Sequence, residues 1–187
     1  MRLVVFDGLD GCGKDTQARK VYDYYAAQGK KVVLRSHPSP DNKYGRKSKK
    51  ALLKTGKWNH LLATLYFGAD AIRSVRKYAH DDSIDVLIFC RYVLAVMYLP
   101  NGINTLLYKI VCKVLPISKY MFFLDISPEE SLRRIQSRGE DEEMFENIEE
   151  LKKARSKADK VIYNWNIIDA DGTPDEIASE VRAILEN

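Results

Sequence analysis

Apolar and polar positions fall into alternating blocks along this chain. Short, nearly continuous apolar runs at Leu3–Phe6, Lys31–Arg35, Asp85–Cys90, Tyr120–Asp125 and Asn166–Asp169 read as strands. A run such as Val86-Leu87-Ile88-Phe89 puts apolar side chains on both faces, as a strand covered on both sides requires. Helical patterns stand between these runs, beginning with Asp15–Gln28, and the alternation predicts an α/β domain with a mostly parallel sheet. Two helix starts are well marked. Ser127-Pro128-Glu129-Glu130 and Thr173-Pro174-Asp175-Glu176 each put a hydroxyl at the cap, proline next and glutamate third, which predicts a capping box at both. Ile103–Leu115 is the longest largely apolar stretch, carries Lys109 and Lys113, and is too short to span a bilayer. It reads as a helix packed on the core. With no repeat, linker or low-complexity segment, residues 1–187 are expected to form one domain.

Composition narrows this picture without changing it. Hydrophobic residues make up 45% and charged residues 30% of 187, the balance of a soluble globular protein able to bury a core. A net charge of +4 is too small to argue for nucleic acid, but it suits a protein that handles anionic metabolites. The basic stretch from Lys43 to Lys57 has little aromatic interleaving and reads as a solvated helix face, so neither a nucleic-acid nor a membrane partner is expected. Cys12, Cys90 and Cys112 form no metal-ligand spacing and no disulfide framework, which predicts a reducing, cytoplasmic setting. Met1 and Arg2 run straight into the first strand, so no secretory leader is expected.

The chemistry concentrates where the first strand ends. Gly8-Leu9-Asp10-Gly11-Cys12-Gly13-Lys14 follows it almost at once and opens a helix, the G-x-x-x-x-G-K spacing of a phosphate-binding loop in a strand–loop–helix context. The glycines let backbone N–H groups turn inward around a β-phosphate, and the helix points its positive end there. Lys14 is placed to reach the β- and γ-phosphate oxygens. The next residue of such loops is usually a Ser or Thr that serves Mg²⁺; here it is Asp15, followed by Thr16. Two readings stand side by side. Asp15 holds the metal as a hard oxygen ligand, or Thr16 or water does so while Asp15 stabilises the helix N-terminus.

Set beside that loop, the chain resembles the thymidylate kinases, P-loop nucleoside monophosphate kinases, and within them a divergent, archaeal-like member. The resemblance runs from Arg2 to Leu185 and is tightest at Phe6-Asp7-Gly8-Leu9-Asp10-Gly11. It implies a three-layer α/β/α fold with a five-stranded parallel sheet and a helical lid at about 133–147. It also implies transfer from ATP, with Mg²⁺, to a nucleoside monophosphate, foremost dTMP. Asp10 is then expected near the acceptor's sugar and phosphate. Gly11 stands where some members carry a catalytic arginine.

Arg35-Ser36-His37-Pro38 is similar to the family's Arg-x-Pro segment with one residue added, which makes Arg35 a candidate clamp for the acceptor phosphate; a solvated strand end is the alternative. In Leu65-Tyr66-Phe67-Gly68-Ala69-Asp70, Phe67 takes the place of the aromatic that stacks on the acceptor base, or else is core. Ala71 stands where the family reads thymine with an arginine. Cys90-Arg91-Tyr92 resembles the Asp-Arg-aromatic motif, with Arg91 on the acceptor phosphate and Cys90 replacing the aspartate. Asp15 gained and Cys90 lost read together as one carboxylate moved across a single Mg²⁺ site.

Arg133, Arg134 and Arg138 lead into the lid, with Glu143-Met144-Phe145-Glu146 resembling its acidic run. Arg134 and Arg138 share a helix face and are candidates to stabilise the transferring group. Asp169-Ala170-Asp171-Gly172 resembles the turn that cups adenine. Members of this family commonly form homodimers, and the resemblance leaves that open for this chain. Catalysis is thus assigned to Lys14, Arg91, Arg134 and Arg138. A kinase for another nucleotide, or a catalytically impaired nucleotide-binding protein, remains the alternative.

Overall fold

A computed structural model of the protein describes residues 1–54, 56–99, 103–137, 139 and 146–187. Of the expected lid, Arg138 and residues 140–145 lie outside the described residues. The elements in order are β1 Arg2–Gly8, α1 Lys14–Ala26, β2 Val32–Ser36, α2 Lys43–Leu52, α3 Lys57–Tyr78 and β3 Val86–Cys90. A 3-10 turn at Leu94–Tyr98 follows, then α4 Ile103–Val114, β4 Met121–Asp125, α5 Pro128–Gln136, α6 Ile148–Ala158, β5 Asn166–Asp169 and α7 Pro174–Glu186. The five strands form one sheet in the order β2-β3-β1-β4-β5, every neighbouring pair parallel.

All of β3 and all but the first residue of β1 are buried, so the central strands are covered on both faces, as their unbroken apolar runs require. Phe6 of β1 and Phe122 of β4 stack in this core with ring centroids 5.2 Å apart. The five predicted strands are all present, with no end shifted by more than two residues.

Two local readings need correction. Thr173 forms the full reciprocal box with Glu176, but Ser127 only accepts from the Glu130 N–H. The Glu130 carboxylate is taken instead by Arg133 and by Arg134, and a charge-assisted pair outcompetes a return bond to a neutral amide. Helix α4 is also less a core helix than its composition suggests. It turns Asn104 and Tyr108 inward, where Tyr108 accepts from Trp165 Nε1 at 2.8 Å, and leaves Ile103, Leu106, Ile110 and Val114 exposed.

Candidate active site

The carboxyl ends of β1, β2 and β3 lie at one level, because Phe6 and Ser36 both stand opposite Cys90 in the ladder. Open α/β sheets hold ligands at this edge. From it the loop after β1 turns into α1, whose cap residue Gly13 carries no side chain and whose N-terminus has no side-chain cap bond. The first-turn N–H groups therefore remain available to an anion. A Cβ on Gly8 would meet Leu124 O at 2.6 Å, and one on Gly11 would meet Ser131 O at 2.8 Å. Glycine at these two positions is what lets the loop press against β4 and α5.

Lys14 is buried, and its Nζ donates to Leu9 O at 2.7 Å and Gly8 O at 3.0 Å. Asp10 Oδ1 lies 3.4 Å from that ammonium and 3.3 Å from Arg91 Nε, while Asp10 Oδ2 accepts from the Tyr98 hydroxyl at 3.0 Å. Burial pushes the Asp10 carboxyl up, but the Lys14 and Arg91 charges outweigh it and hold the group well below the usual carboxylate range. Arg91 NH1 reaches Asp15 Oδ2 at 2.8 Å, and Ser36 Oγ donates to Asp15 Oδ1 at 2.6 Å. Burial likewise raises Asp15, and Arg91 and Ser36 overcome it, so its carboxyl also sits below its ordinary value. Lys14, Asp10, Arg91 and Asp15 thus alternate in sign as one charge network.

Arg91 itself has φ 52, the left-handed region in a residue other than glycine. Such a conformation costs on the order of 1–3 kcal/mol and persists only where its surroundings over-determine it. The Arg91 N–H donates to Phe6 O at 3.1 Å. Just beyond it, the Tyr92 and Leu94 N–H groups both donate to Asp7 Oδ2, at 3.0 and 3.2 Å. Burial raises Asp7 to about 6 despite these bonds and the nearby Lys14. The Cys90 thiol is fully buried, donates to Lys14 O at 3.7 Å, and is held protonated by burial and by the Asp15 charge.

A cleft of about 490 Å³ opens beside this network, lined by Gly11 to Gln17, Arg91, Arg134, Gly172 and Pro174. Arg134 is held at its edge by Glu130 Oε1 at 2.7 Å and Ala170 O at 3.1 Å. Phosphate-loop residues line one part of the cleft and the turn after β5 another.

Asp15 and Thr16 line the cleft, both exposed and both offering hard oxygen. Ser36 Oγ adds a third such oxygen against Asp15. That donor set fits Mg²⁺, which prefers few protein oxygens and completes its shell from phosphate and water.

The structure therefore brings Gly8, Asp10, Gly11, Cys12, Gly13, Lys14, Asp15, Thr16, Arg91 and Arg134 to one place. Arg35 stands apart. Its side chain is only 13% exposed and is bound at both terminal nitrogens by Asp41, each at 2.9 Å, with the guanidinium over the Tyr78 ring at 5.4 Å. It is neither a solvated strand end nor an unengaged clamp. It lines a second cleft of about 400 Å³ on the other side of Asp15. Phe67 is half-buried, its ring edge-on to the buried His37 at 6.0 Å. Ala71 is in the core cluster, so no base-reading group stands at that position.

Sequence reasoning misses Asp7, Ser36 and Tyr98 as holders of the network. Only Asp7 had a local signal, a carboxylate ending an apolar strand. The others are brought in by contacts 55 and 88 residues long.

A phosphate loop on a parallel sheet, with cations converging on its cleft, defines the P-loop phosphoryl-transfer enzymes. The family model for thymidylate kinase matches residues 6–181. The chain belongs to the thymidylate kinase family. It is 30% identical to a probable thymidylate kinase from Methanococcus maripaludis, over 99% of this chain and 96% of that protein. It is 28% identical to a probable thymidylate kinase from Sulfurisphaera tokodaii, over 98% and 95%. Identity is again 28% with a thymidylate kinase from Leptospira borgpetersenii, over 98% and 92%.

Proposed function

We propose that the chain transfers the γ-phosphoryl group of ATP to dTMP, giving ADP and dTDP. The observation that carries this reading is the placement of Lys14, Arg91 and Arg134 on one cleft that begins at the phosphate loop. A phosphate oxygen of the acceptor attacks the γ-phosphorus while the bond to the β,γ-bridging oxygen breaks and ADP leaves. Little covalent work falls to the protein, so positioning and charge stabilisation carry the rate.

Lys14 exchanges the Gly8 and Leu9 carbonyls for β- and γ-phosphate oxygens. Arg91 presents NH1 between the two substrates, and its guanidinium stays charged because Asp10 and Asp15 outweigh burial. Arg134 approaches the transferring group from α5, Arg138 is assigned the same role in a lid at about 133–147, and residues 1–187 act as one kinase domain. Arg35 and Phe67 hold the acceptor's phosphate and base. Asp15 and Thr16 are the residues that would hold Mg²⁺, which when bound neutralises charge on the β- and γ-phosphate oxygens.

The test is ADP release from Mg²⁺-ATP with dTMP, dUMP, UMP, CMP, AMP and GMP offered in turn. Preference for dTMP is expected. No turnover with any acceptor would overturn the reading. A different preferred nucleotide would move the substrate, a second reading that one observation favours: Ala71 offers nothing to the base.

A further inference from the structure

His37 is the residue added before Pro38, and neither the loop chemistry nor the cleft accounts for it. It is 1% exposed. Its Nδ1 lies 3.2 Å from the Arg91 carbonyl oxygen and its Nε2 lies 2.9 Å from Ser74 Oγ. A carbonyl can only accept, so Nδ1 carries the proton, and in the neutral ring Nε2 accepts from the Ser74 hydroxyl. Burial favours that neutral ring, against the Asp70 charge and with the Arg35 charge. The ring is wedged between Phe67, edge-on at 6.0 Å, and Phe89 at 5.5 Å.

These contacts meet the problem Arg91 poses. The φ of 52 at Arg91 is sustained from before by Phe6 O and from after by Asp7, while the carbonyl between those anchors is taken by His37. Ser36, the neighbour of His37, accepts from the Arg91 guanidinium at 3.3 Å. Two consecutive residues at the end of β2 therefore hold the two ends of Arg91. On its far side the same histidine rests on α3 through Ser74 and Phe67.

We propose that His37 is a positioning residue for Arg91, locking the backbone from which the guanidinium is aimed and tying that aim to the acceptor side of the cleft through Phe67 and Ser74. This rests on the kinase reading above. The residue makes no contact with a reacting atom; it acts through Arg91.

The experiment compares His37→Phe, which keeps the ring packing and loses both hydrogen bonds, with His37→Asn, whose amide nitrogen can stand in for Nδ1. Initial rates with ATP and dTMP are measured alongside thermal unfolding. His37→Phe should lower kcat about tenfold, the size set by leaving one buried carbonyl unpaired, with the ATP KM within about twofold because the loop contacts are untouched. His37→Asn should recover a large part of that kcat. Equal kcat in the two variants, with the wild type active, would overturn the assignment of His37 alone. A wild type inactive on every monophosphate would overturn the kinase reading instead. Should His37→Phe fail to fold, long-range ¹H–¹⁵N correlation of the wild-type imidazole still decides. A ring protonated at Nδ1 is expected, and a neutral ring protonated at Nε2 overturns the proposal.

Discussion

Replacing Asp7 with asparagine separates the stability of this site from its architecture. Asp7 is 2% exposed at the end of β1, and its Oδ2 accepts the Tyr92 and Leu94 N–H groups that follow Arg91. Its carboxyl titrates at about 6 in the folded chain against an ordinary 3.8. Between those values the native state binds the proton more tightly than the unfolded one, so this group's contribution to stability is greatest in acid and declines as pH rises from 4 to 6. At 1.36 kcal/mol per pH unit, the decline is about 3 kcal/mol, and it is complete above pH 7. Asparagine has nearly the shape of the protonated acid, keeps an oxygen for the two amides, and never ionises. Asp7→Asn should therefore match the wild type only below about pH 3.5, under the ordinary carboxyl value, and exceed it by up to about 3 kcal/mol at pH 7.5. Urea unfolding at the two pH values reads this directly, since the titration of every other group is common to both proteins and cancels in the difference. A gap that is the same at both pH values would refute the argument, as would an asparagine variant less stable throughout. Because the anchor for Tyr92 and Leu94 survives, kcat should stay within a few-fold of wild type.

Other parts of the site make further predictions. Asp15→Ser should lower kcat about tenfold or more, and adding Cys90→Asp should restore some of it, since position 90 lies within electrostatic reach of Asp15 and beneath Lys14; Mg²⁺-dependent rates of the single and double variants decide, and no recovery would sink the shared-carboxylate idea. Gly11→Ala forces a Cβ to 2.8 Å from Ser131 O at φ 82, which should cost about 1–3 kcal/mol and lower Tm by several degrees. An unchanged melting curve would contradict that. An arginine at position 11 meets the same wall. Arg35→Ala removes the Asp41 pair and the stacking on Tyr78, at a cost of about 1 kcal/mol of stability. It should raise the acceptor KM and leave the ATP KM unchanged; equal effects on both would remove Arg35 from the acceptor site.

What the sequence makes legible is what is local. The phosphate loop declares itself within seven residues, and the strands declare themselves because a doubly covered strand such as Val86–Cys90 has to be apolar throughout. Local rules also fail where a stronger partner arrives from outside the rule. The Ser127 cap is half-formed because Arg133 and Arg134 claim Glu130, and α4 turns its tyrosine inward because Trp165 supplies a partner there.

The holders of Arg91 belong to a different order of information. Asp7, Ser36 and His37 lie 54 to 87 residues from the segment they grip. Apart from the carboxylate that ends an apolar strand at Asp7, nothing in their own neighbourhoods marks them. They become neighbours through one register: Phe6 and Ser36 both pair with Cys90 across adjacent parallel ladders, so the residues that follow each strand emerge side by side. A slip of one residue in either ladder would turn the strand's side chains to the opposite face and separate Arg91 from its anchors. The register is fixed in turn by burial of Val4, Phe6, Ile88 and Phe122, none of which touches the cleft. The aim of the arginine is therefore set by core packing at a distance, and a motif read alone names the arginine without naming what points it.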